Sequence, residues 1–93
     1  MTQTPADERQ MNIGKVVGQQ IRNLRKTRGM TRMDLVYHSG LSPETVGKIE
    51  RADVSPTLLT LIKIAEGLGV PVAQLLEQVT AQEMKDPAST MSP

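Results

Sequence analysis

Four side chains with base-reading chemistry lie close together between residues 43 and 48. Lys48 can donate to the acceptor pair on guanine, and Glu44 can accept from the cytosine amino group. The apolar atoms of Pro43 or Thr45 can contact a thymine methyl. Their spacing would place all four on the outside of one helix. We therefore predict that these four residues contact base edges of duplex DNA.

Two of these residues have simpler interpretations, which the sequence leaves open. Glu44 can instead interact with the positive end of the helix dipole, because it would lie in the first helical turn. Lys48 can equally contact a phosphate, which positions a protein on DNA and carries no sequence information. Gly47 is expected on the same outer surface of the helix.

Capping signals define the two short helices around these residues. Thr31 is an N-cap candidate, and Asp34 three residues later completes a capping box. Gly40 then ends the first helix. Ser42 caps a second helix, with Pro43 at the first helical position, where its missing N–H costs nothing. The pattern predicts two short helices joined by a tight turn.

The second of these helices has an inward and an outward side. Val46 and Ile49 are three residues apart and are expected in the core. Two helices joined by a glycine-containing turn form a helix-turn-helix, whose second helix can enter a DNA major groove. We therefore predict that the recognition helix spans about residues 42–51.

The order and spacing of several motifs resemble one known family. The matching segments are residues 17–25 (VGQQIRNLR), 35–36 (LV), 40–42 (GLS), 45–46 (TV), 49–51 (IER) and 56–76. Across residues 17–76 the chain is similar to the lambda-repressor-like (Cro/Xre type) helix-turn-helix domain. The resemblance implies an all-α fold, a compact five-helix bundle that binds DNA.

The resemblance also implies a structural ion pair. In this family an arginine late in the first core helix pairs with a glutamate that Glu50 matches here, and Arg25 matches the arginine. The pair would fix the recognition helix against its neighbour and hold Arg25 near a phosphate. A glycine usually precedes the arginine-bearing segment in the family, so Gly18 is expected to allow close packing of helices.

Contacts to the DNA backbone are expected from Arg32, Ser42 and Arg51. The family often has glutamine where Arg32 stands, and arginine keeps a phosphate contact while adding charge. It often has glycine where Ala52 stands, so alanine implies a changed turn or some strain. Asp53 adds a negative charge close to the expected path of the DNA backbone.

The chain is expected to consist of three parts. Residues 1–12 form an N-terminal arm, residues 13–79 form the helix-turn-helix domain, and residues 80–93 form a flexible C-terminal tail. Asn12 is the predicted cap of the first core helix. Helical periodicity after a cap at residue 57 predicts that Leu58 lies in the core.

By family analogy, a dimer surface is expected on the last helix, which is predicted over about residues 71–79. Its candidate residues are Val70, Val72, Leu76 and Val79. The same four side chains have the spacing of a core face. The sequence therefore leaves two interpretations open, a dimer surface and a purely internal role.

Composition argues against several other classes of function. The 93 residues include no Cys, no Phe, no Trp and one Tyr, so the core must be aliphatic and disulfides and zinc–thiolate sites are excluded. No apolar run approaches the ~20 residues that span a membrane, and no signal-peptide pattern opens the chain. We expect a cytoplasmic protein without contact to a membrane. The single histidine, His38, has no oriented partner for catalysis, and we predict neither an enzyme nor a bound cofactor or metal.

Charge is unevenly distributed along the chain. The formal net charge is +1, but residues 13–51 hold eight basic groups and three acidic groups, which gives +5. The rest of the chain therefore carries −4. Positive charge on the half that contains the helix-turn-helix favours a polyanionic partner such as duplex DNA.

These observations support two hypotheses from different classes. The leading one is a sequence-specific transcriptional regulator, most simply a repressor, that binds a near-palindromic operator in double-stranded DNA as a homodimer. The alternative is an antitoxin or a coactivator-like interaction module, whose main partner is a protein such as a toxin or RNA polymerase. A DNA-binding protein should lose affinity steeply as salt rises, and this separates the two.

Overall fold

A computed structural model describes residues 5–83, with side chains from residue 12 to residue 79. The described chain forms α-helices and contains no strand. The helices are α1 (Pro5–Thr27), α2 (Arg32–Ser39), α3 (Pro43–Glu50), α4 (Leu58–Leu68) and α5 (Val72–Glu83). The predicted all-α bundle of five helices is confirmed.

The predicted capping box at the start of α2 is present. The Asp34 N–H donates to the Thr31 hydroxyl over 3.0 Å, and the Thr31 N–H donates to the Asp34 carboxylate over 2.8 Å. The pKa of the Asp34 carboxyl lies below its ordinary range. The main cause is the hydrogen bond from the Thr31 N–H, and the hydrogen bond with the Thr31 hydroxyl is the second cause. The predicted caps of α3 and α4 are also confirmed, because Ser42 and Thr57 each accept from a backbone N–H three residues later.

Glycines in the left-handed conformation end two of the helices as predicted. Gly40 follows α2 and Gly69 follows α4, and both have φ of 75°. The Gly69 N–H donates to the Glu66 carbonyl, and the Val70 N–H donates to the Ala65 carbonyl. This pair of reverse hydrogen bonds is the Schellman motif, which satisfies carbonyls left unpaired at a helix end.

The hydrophobic core takes residues from every described helix. Its buried members are Val17, Ile21, Leu35, Val46, Ile49, Ile64, Ala65, Leu68 and Leu75. Both predicted inward residues of α3, Val46 and Ile49, are among them. The prediction for Leu58 was wrong, because its side chain is 66% exposed. Leu58 is the first residue of α4, and the buried stripe of this helix begins one turn later.

The outer bounds of the bundle differ from those expected. The first helix begins at Pro5 and continues through Asn12 without interruption, so the predicted helix start at Asn12 was wrong. Residues 5–12 of the predicted N-terminal arm therefore belong to the first helix. The last helix extends to Glu83, which lies beyond the expected end at residue 79. Residues 1–4 and 84–93, which include most of the predicted tail, lie outside the described chain.

The candidate dimer residues of the last helix are partly buried. Val70, Val72, Leu76 and Val79 all pack against the core cluster. The exposed large hydrophobic side chains in the described chain lie elsewhere; they are Met33, Tyr37, Val54, Leu58, Leu59 and Ile62. The role of these four residues in a dimer therefore stays a prediction.

None of the described helices is by itself both long and apolar enough to cross a membrane. Helices α4 and α5 satisfy the length and composition requirement only together, with a bend of 111° between them. One side of α4, which includes Ile64 and Leu68, packs into the core of the bundle.

Candidate nucleic-acid interface

The first turn of α3 presents its side chains to solvent. Pro43 and Glu44 are exposed, and Thr45 is half-buried. The Ser42 hydroxyl accepts from the Thr45 N–H over 3.1 Å and donates to the Thr45 hydroxyl over 2.8 Å. This pairing holds the Thr45 side chain at the helix start.

The two charged base-reading candidates contact each other across one helical turn. Lys48 Nζ lies 3.2 Å from a Glu44 carboxylate oxygen, and the side chains are 44% exposed for Lys48 and 75% exposed for Glu44. A surface pair at this spacing is weak, about 0.2–0.5 kcal/mol. Either side chain can therefore turn toward a base edge or a phosphate at little cost in stability.

The other end of α3 is joined to α1 by a buried ion pair. Arg25 Nε lies 2.8 Å from one oxygen of the Glu50 carboxylate, and Arg25 Nη2 lies 3.1 Å from the other. Arg25 also donates through Nη1 to the Met30 carbonyl over 3.0 Å. Glu50 is 5% exposed and Arg25 is 8% exposed. The pair implied by the family resemblance is thus present, with the fork geometry that favours Arg–carboxylate binding.

Two further arginines share the Glu50 carboxylate, and sequence reasoning missed both contacts. Arg32 Nη2 lies 3.3 Å and Arg22 Nε lies 3.8 Å from the same Glu50 oxygen. Arg22 could have been found, because it precedes Arg25 by three residues and such residues share a helix face. No comparable signal links Arg32 to Glu50, since they lie on different helices.

Gly18 allows α1 to approach the end of α3 very closely. A Cβ atom placed on Gly18 would lie 2.6 Å from the Ile49 carbonyl oxygen and 2.9 Å from the Glu50 carbonyl oxygen. Both distances are shorter than van der Waals contact, and the obstructing atoms belong to the backbone. The expectation that Gly18 permits close helix packing is therefore confirmed.

Gly47 is not on the exposed surface, and the prediction that it lies outside was wrong. The residue is buried, because the Arg51 and Arg32 side chains lie over it. A Cβ atom on Gly47 would be 3.0 Å from Arg51 Nη1 and 3.6 Å from Arg32 Nη1. Helical periodicity correctly placed Gly47 on the side of α3 that faces away from the core. The long side chains of Arg32 and Arg51 nevertheless cover it.

The turn after α3 has the strained residue that the sequence indicated. Ala52 has φ of 63° and is the sole non-glycine residue with positive φ in the described chain. Its N–H donates to the Ile49 carbonyl, and the Asp53 N–H donates to the Lys48 carbonyl over 2.8 Å. These are the two hydrogen bonds of a Schellman motif, here with alanine at the position that favours glycine. The Asp53 side chain accepts from Arg51 Nε over 3.0 Å.

Helix α2 carries an exposed aromatic residue. Tyr37 is 81% exposed, and its ring meets the His38 ring edge-on at a centroid distance of 5.3 Å. Met33, one turn earlier, is exposed as well. No group of three or more His, Cys, Asp or Glu side chains in the described part of the chain could hold a metal ion.

Comparison with known proteins gives consistent matches. A family model described as a helix-turn-helix domain matches residues 16–78. An HTH-type transcriptional regulator of Sinorhizobium fredii is 33% identical over 66 residues, which cover 71% of this chain and 86% of that protein. The control protein C.SmaI of Serratia marcescens is 32% identical over 76 residues, which cover 82% of this chain and 87% of that protein.

A solved structure has the same arrangement of helices. The crystal structure of the restriction-modification controller protein C.AhdI from Aeromonas hydrophila superposes with a TM-score of 0.65 at 31% sequence identity. The match covers 67% of this chain and 94% of that protein. The similarity therefore extends from the short motifs to the packing of the bundle.

Proposed function

The chain belongs to the lambda-repressor-like (Cro/Xre type) helix-turn-helix family, and from this premise we propose that it is a DNA-binding transcriptional repressor. It binds a near-palindromic operator as a homodimer, with the start of α3 in the major groove of each half-site. Its similarity to a transcriptional regulator and to a restriction-modification control protein supports a role in regulation. Proteins of this class bind DNA and do not act as enzymes.

The observation that carries the proposal is the contrast between the two ends of α3. The first turn is exposed and holds side chains that match base edges, whereas the last turn is bound to the bundle through the buried Glu50 carboxylate. A helix fixed at one end and free at the other can enter a groove without changing its orientation. Such preorganisation lowers the cost of binding.

Base reading is assigned to the four outward residues of α3. Lys48 contacts guanine acceptors, Glu44 accepts from a cytosine amino group, and the apolar atoms of Pro43 and Thr45 contact thymine methyl groups. Glu44 and Lys48 must first separate from each other, which a weak surface pair permits.

Backbone contacts are assigned to residues around this helix. The phosphate contacts come from Arg32, Ser42 and Arg51, with Arg25 acting mainly through Glu50, to which its guanidinium is bound. Arg32 and Arg51 keep about half of their side-chain surface exposed. They can therefore meet a phosphate without breaking the bundle.

Homodimerisation follows from the small number of bases that one α3 helix can read. Two copies whose recognition helices lie one helical turn apart, about 34–36 Å, double the length of the recognised site. The residues proposed for this contact are Val70, which precedes α5, and Val72, Leu76 and Val79, which lie on α5. A dimer bound across a promoter excludes RNA polymerase, which is the physical basis of the proposed repression.

A second candidate function is supported by the exposed apolar side chains near the start of α4. Leu58, Leu59 and Ile62 lie within two turns of one another, and Val54 precedes them in the loop. A patch of this kind marks a contact with another protein. An antitoxin or a coactivator-like module would use it to bind its partner, with DNA binding secondary or absent.

The decisive experiment is selection of binding sites from random duplex DNA with the purified protein at two salt concentrations. We expect a two-fold symmetric motif, whose binding weakens steeply as salt rises because released counterions accompany each phosphate contact. The Lys48→Ala and Glu44→Ala variants should relax the motif at different base positions. Recovery of no motif, with weak binding that salt abolishes, would favour the protein-partner function.

A further inference from the structure

Two arginines from different segments of the chain meet over Gly47. Arg32 begins α2, and Arg51 follows α3. A Cβ atom placed on Gly47 would nevertheless lie close to both, at 3.6 Å from Arg32 Nη1 and 3.0 Å from Arg51 Nη1, so both guanidinium groups approach this one point. Because Gly47 has no side chain, both guanidinium groups can lie close to the helix surface and close to each other.

The positive charge around this point is only partly neutralised. The described chain brings four guanidinium groups and two carboxylates together here; they are Arg22, Arg25, Arg32, Arg51, Glu50 and Asp53. Glu50 is shared among three of the arginines. In addition, the Arg32 Nε atom is buried and has no hydrogen-bond partner in the described chain. A site with excess cations attracts an anion.

We propose that Arg32 and Arg51 bind one phosphate of the DNA backbone together, and that Asp53 competes with this phosphate for Arg51. The inference rests on the proposed function and specifies one of its backbone contacts. A phosphate has several acceptor oxygens and can receive hydrogen bonds from two guanidinium groups at once. The two arginines would otherwise repel each other, so the shared anion stabilises their approach.

Asp53 is positioned to oppose this contact. Its carboxylate accepts from Arg51 Nε, while Arg51 Nη1 faces Gly47. A phosphate bound at Nη1 would thus come near a second anion on the same guanidinium. Both side chains of the Arg51–Asp53 pair are about half exposed. A surface pair of this kind can be broken at low cost, so Arg51 can bind another anion in place of Asp53. Asp53 therefore lowers affinity for every DNA sequence equally, because it acts on the backbone contact.

The competition is tested with Asp53→Asn, which removes one negative charge and keeps the shape of the side chain. The dissociation constant for a duplex without operator sequence is measured at low salt. We expect binding up to about fivefold tighter, the size of a surface charge interaction. Glu66→Gln is the matched control, because it makes the same charge change at an exposed position on α4. If Asp53→Asn and Glu66→Gln change the dissociation constant equally, Asp53 does not compete with the phosphate for Arg51.

The dependence on Arg51 provides a second readout. In an Arg51→Gln background the Asp53→Asn substitution should lose most of its effect, because the contested guanidinium is gone. An undiminished effect in that background would show that Asp53 acts through the general field of the protein and would also overturn the competition.

The shared phosphate is tested by the salt dependence of binding in Arg32→Gln, Arg51→Gln and the double variant. One phosphate contributes about 0.9 to the slope of log affinity against log salt. The double variant should therefore lose no more than about 0.9 in total. A loss of about 1.8 would mean two separate phosphates and would overturn the shared site. Thermal melting shows whether the Arg32 variant remains folded, and Arg51→Gln, which leaves Glu50 untouched, is informative in either case.

Gly47→Ala tests the geometry without removing any charge. Its Cβ would displace Arg51 Nη1 from a distance of 3.0 Å, so binding to all sequences should weaken while the melting temperature is unchanged or higher. Unchanged affinity would contradict the site. If the wild-type chain shows no salt-dependent duplex binding, the proposed function and this inference both fail. If the wild type binds and the variants behave additively, only the shared site fails.

Discussion

The two ends of α3 serve opposite purposes within a helix of eight residues. At the first turn, Glu44 is exposed and pairs weakly with Lys48. At the last turn, Glu50 is the same residue type, but its carboxylate is buried and contacts three arginines. The comparison shows that a glutamate can fix a helix in the bundle or remain at its surface according to its environment, and the type of residue alone does not decide which.

The backbone reinforces this difference. The carbonyl oxygens of Ile49 and Glu50 approach Gly18 so closely that a Cβ atom there would overlap both of them. At the start of α3, the Ser42 hydroxyl accepts from the Thr45 N–H, which is a local contact within the same segment. One end of the helix is thus fixed by tertiary structure, whereas the other end depends on a local cap.

The largest expected effect comes from removing the buried carboxylate. Glu50→Ala should destabilise the fold by about 3–5 kcal/mol, because Arg25 is left buried without its partner. That loss is comparable to the whole stability of a small domain. Chemical denaturation measures it, with Glu44→Ala as the control, for which a change within about 0.5 kcal/mol is expected. A similar effect of both substitutions would remove the contrast between the ends of α3.

A smaller effect is expected where α1 meets α3. Gly18→Ala should destabilise by about 1–3 kcal/mol, because its methyl group would overlap the Ile49 carbonyl oxygen at 2.6 Å. Gly14→Ala on the same helix is the matched control. Its Cβ would meet Ala52 Cβ at an ordinary 3.8 Å, so higher helix propensity should stabilise by up to about 1 kcal/mol. In thermal melts, Gly18→Ala should lower the melting temperature and Gly14→Ala should raise it. An unchanged melting temperature for Gly18→Ala would show that the close approach of α1 and α3 does not require glycine.

The turn after α3 should respond in the opposite direction from the turn after α4. Ala52→Gly relieves a left-handed alanine and should stabilise by about 1 kcal/mol. Gly69→Ala introduces the same strain into a turn with the same pair of hydrogen bonds and should destabilise by a similar amount. No atom lies within 4 Å of the added Gly69 Cβ, so the effect reports backbone conformation alone. The midpoints of chemical denaturation measure the stability change of each variant, provided that the slope of the transition is unchanged. A loss of stability in Ala52→Gly would show that the left-handed conformation of Ala52 is not strained.

The smallest effect on stability is expected at the surface pair of Glu44 and Lys48 on α3. Lys48→Ala should change the free energy of unfolding by less than about 0.5 kcal/mol, since it breaks one surface pair. Its effect on DNA binding should be confined to the base pair that it contacts, at about 1–3 kcal/mol. Binding to a panel of single-base operator variants distinguishes this from a phosphate contact, which would weaken all of them alike.

Several particular features could be predicted because their signals are local. The capping box of Thr31 and Asp34, the caps at Ser42 and Thr57, and the glycine ends of α2 and α4 each depend on a few neighbouring residues. The strain at Ala52 was likewise indicated by one departure from the family pattern.

Other features could not be predicted because they depend on how the helices meet. Periodicity assigned Leu58 to the core, but the neighbouring helices leave the start of α4 uncovered. It assigned Gly47 to the surface, but the long side chains of Arg32 and Arg51 cover that position. The continuous first helix was missed at Asn12 because a cap-forming residue is also tolerated inside a helix.

The sequence by itself determined the class of fold, the position of the helix-turn-helix and the residue types available to read DNA. The helix-turn-helix follows from periodicity and capping, which act over three or four residues, whereas the five-helix fold was implied by the family resemblance. Only the tertiary structure decided that three arginines share Glu50 and that Arg32 and Arg51 meet over Gly47. Such contacts join residues as far apart in sequence as Arg22 and Glu50, and their geometry depends on the packing of α1, α2 and α3 together.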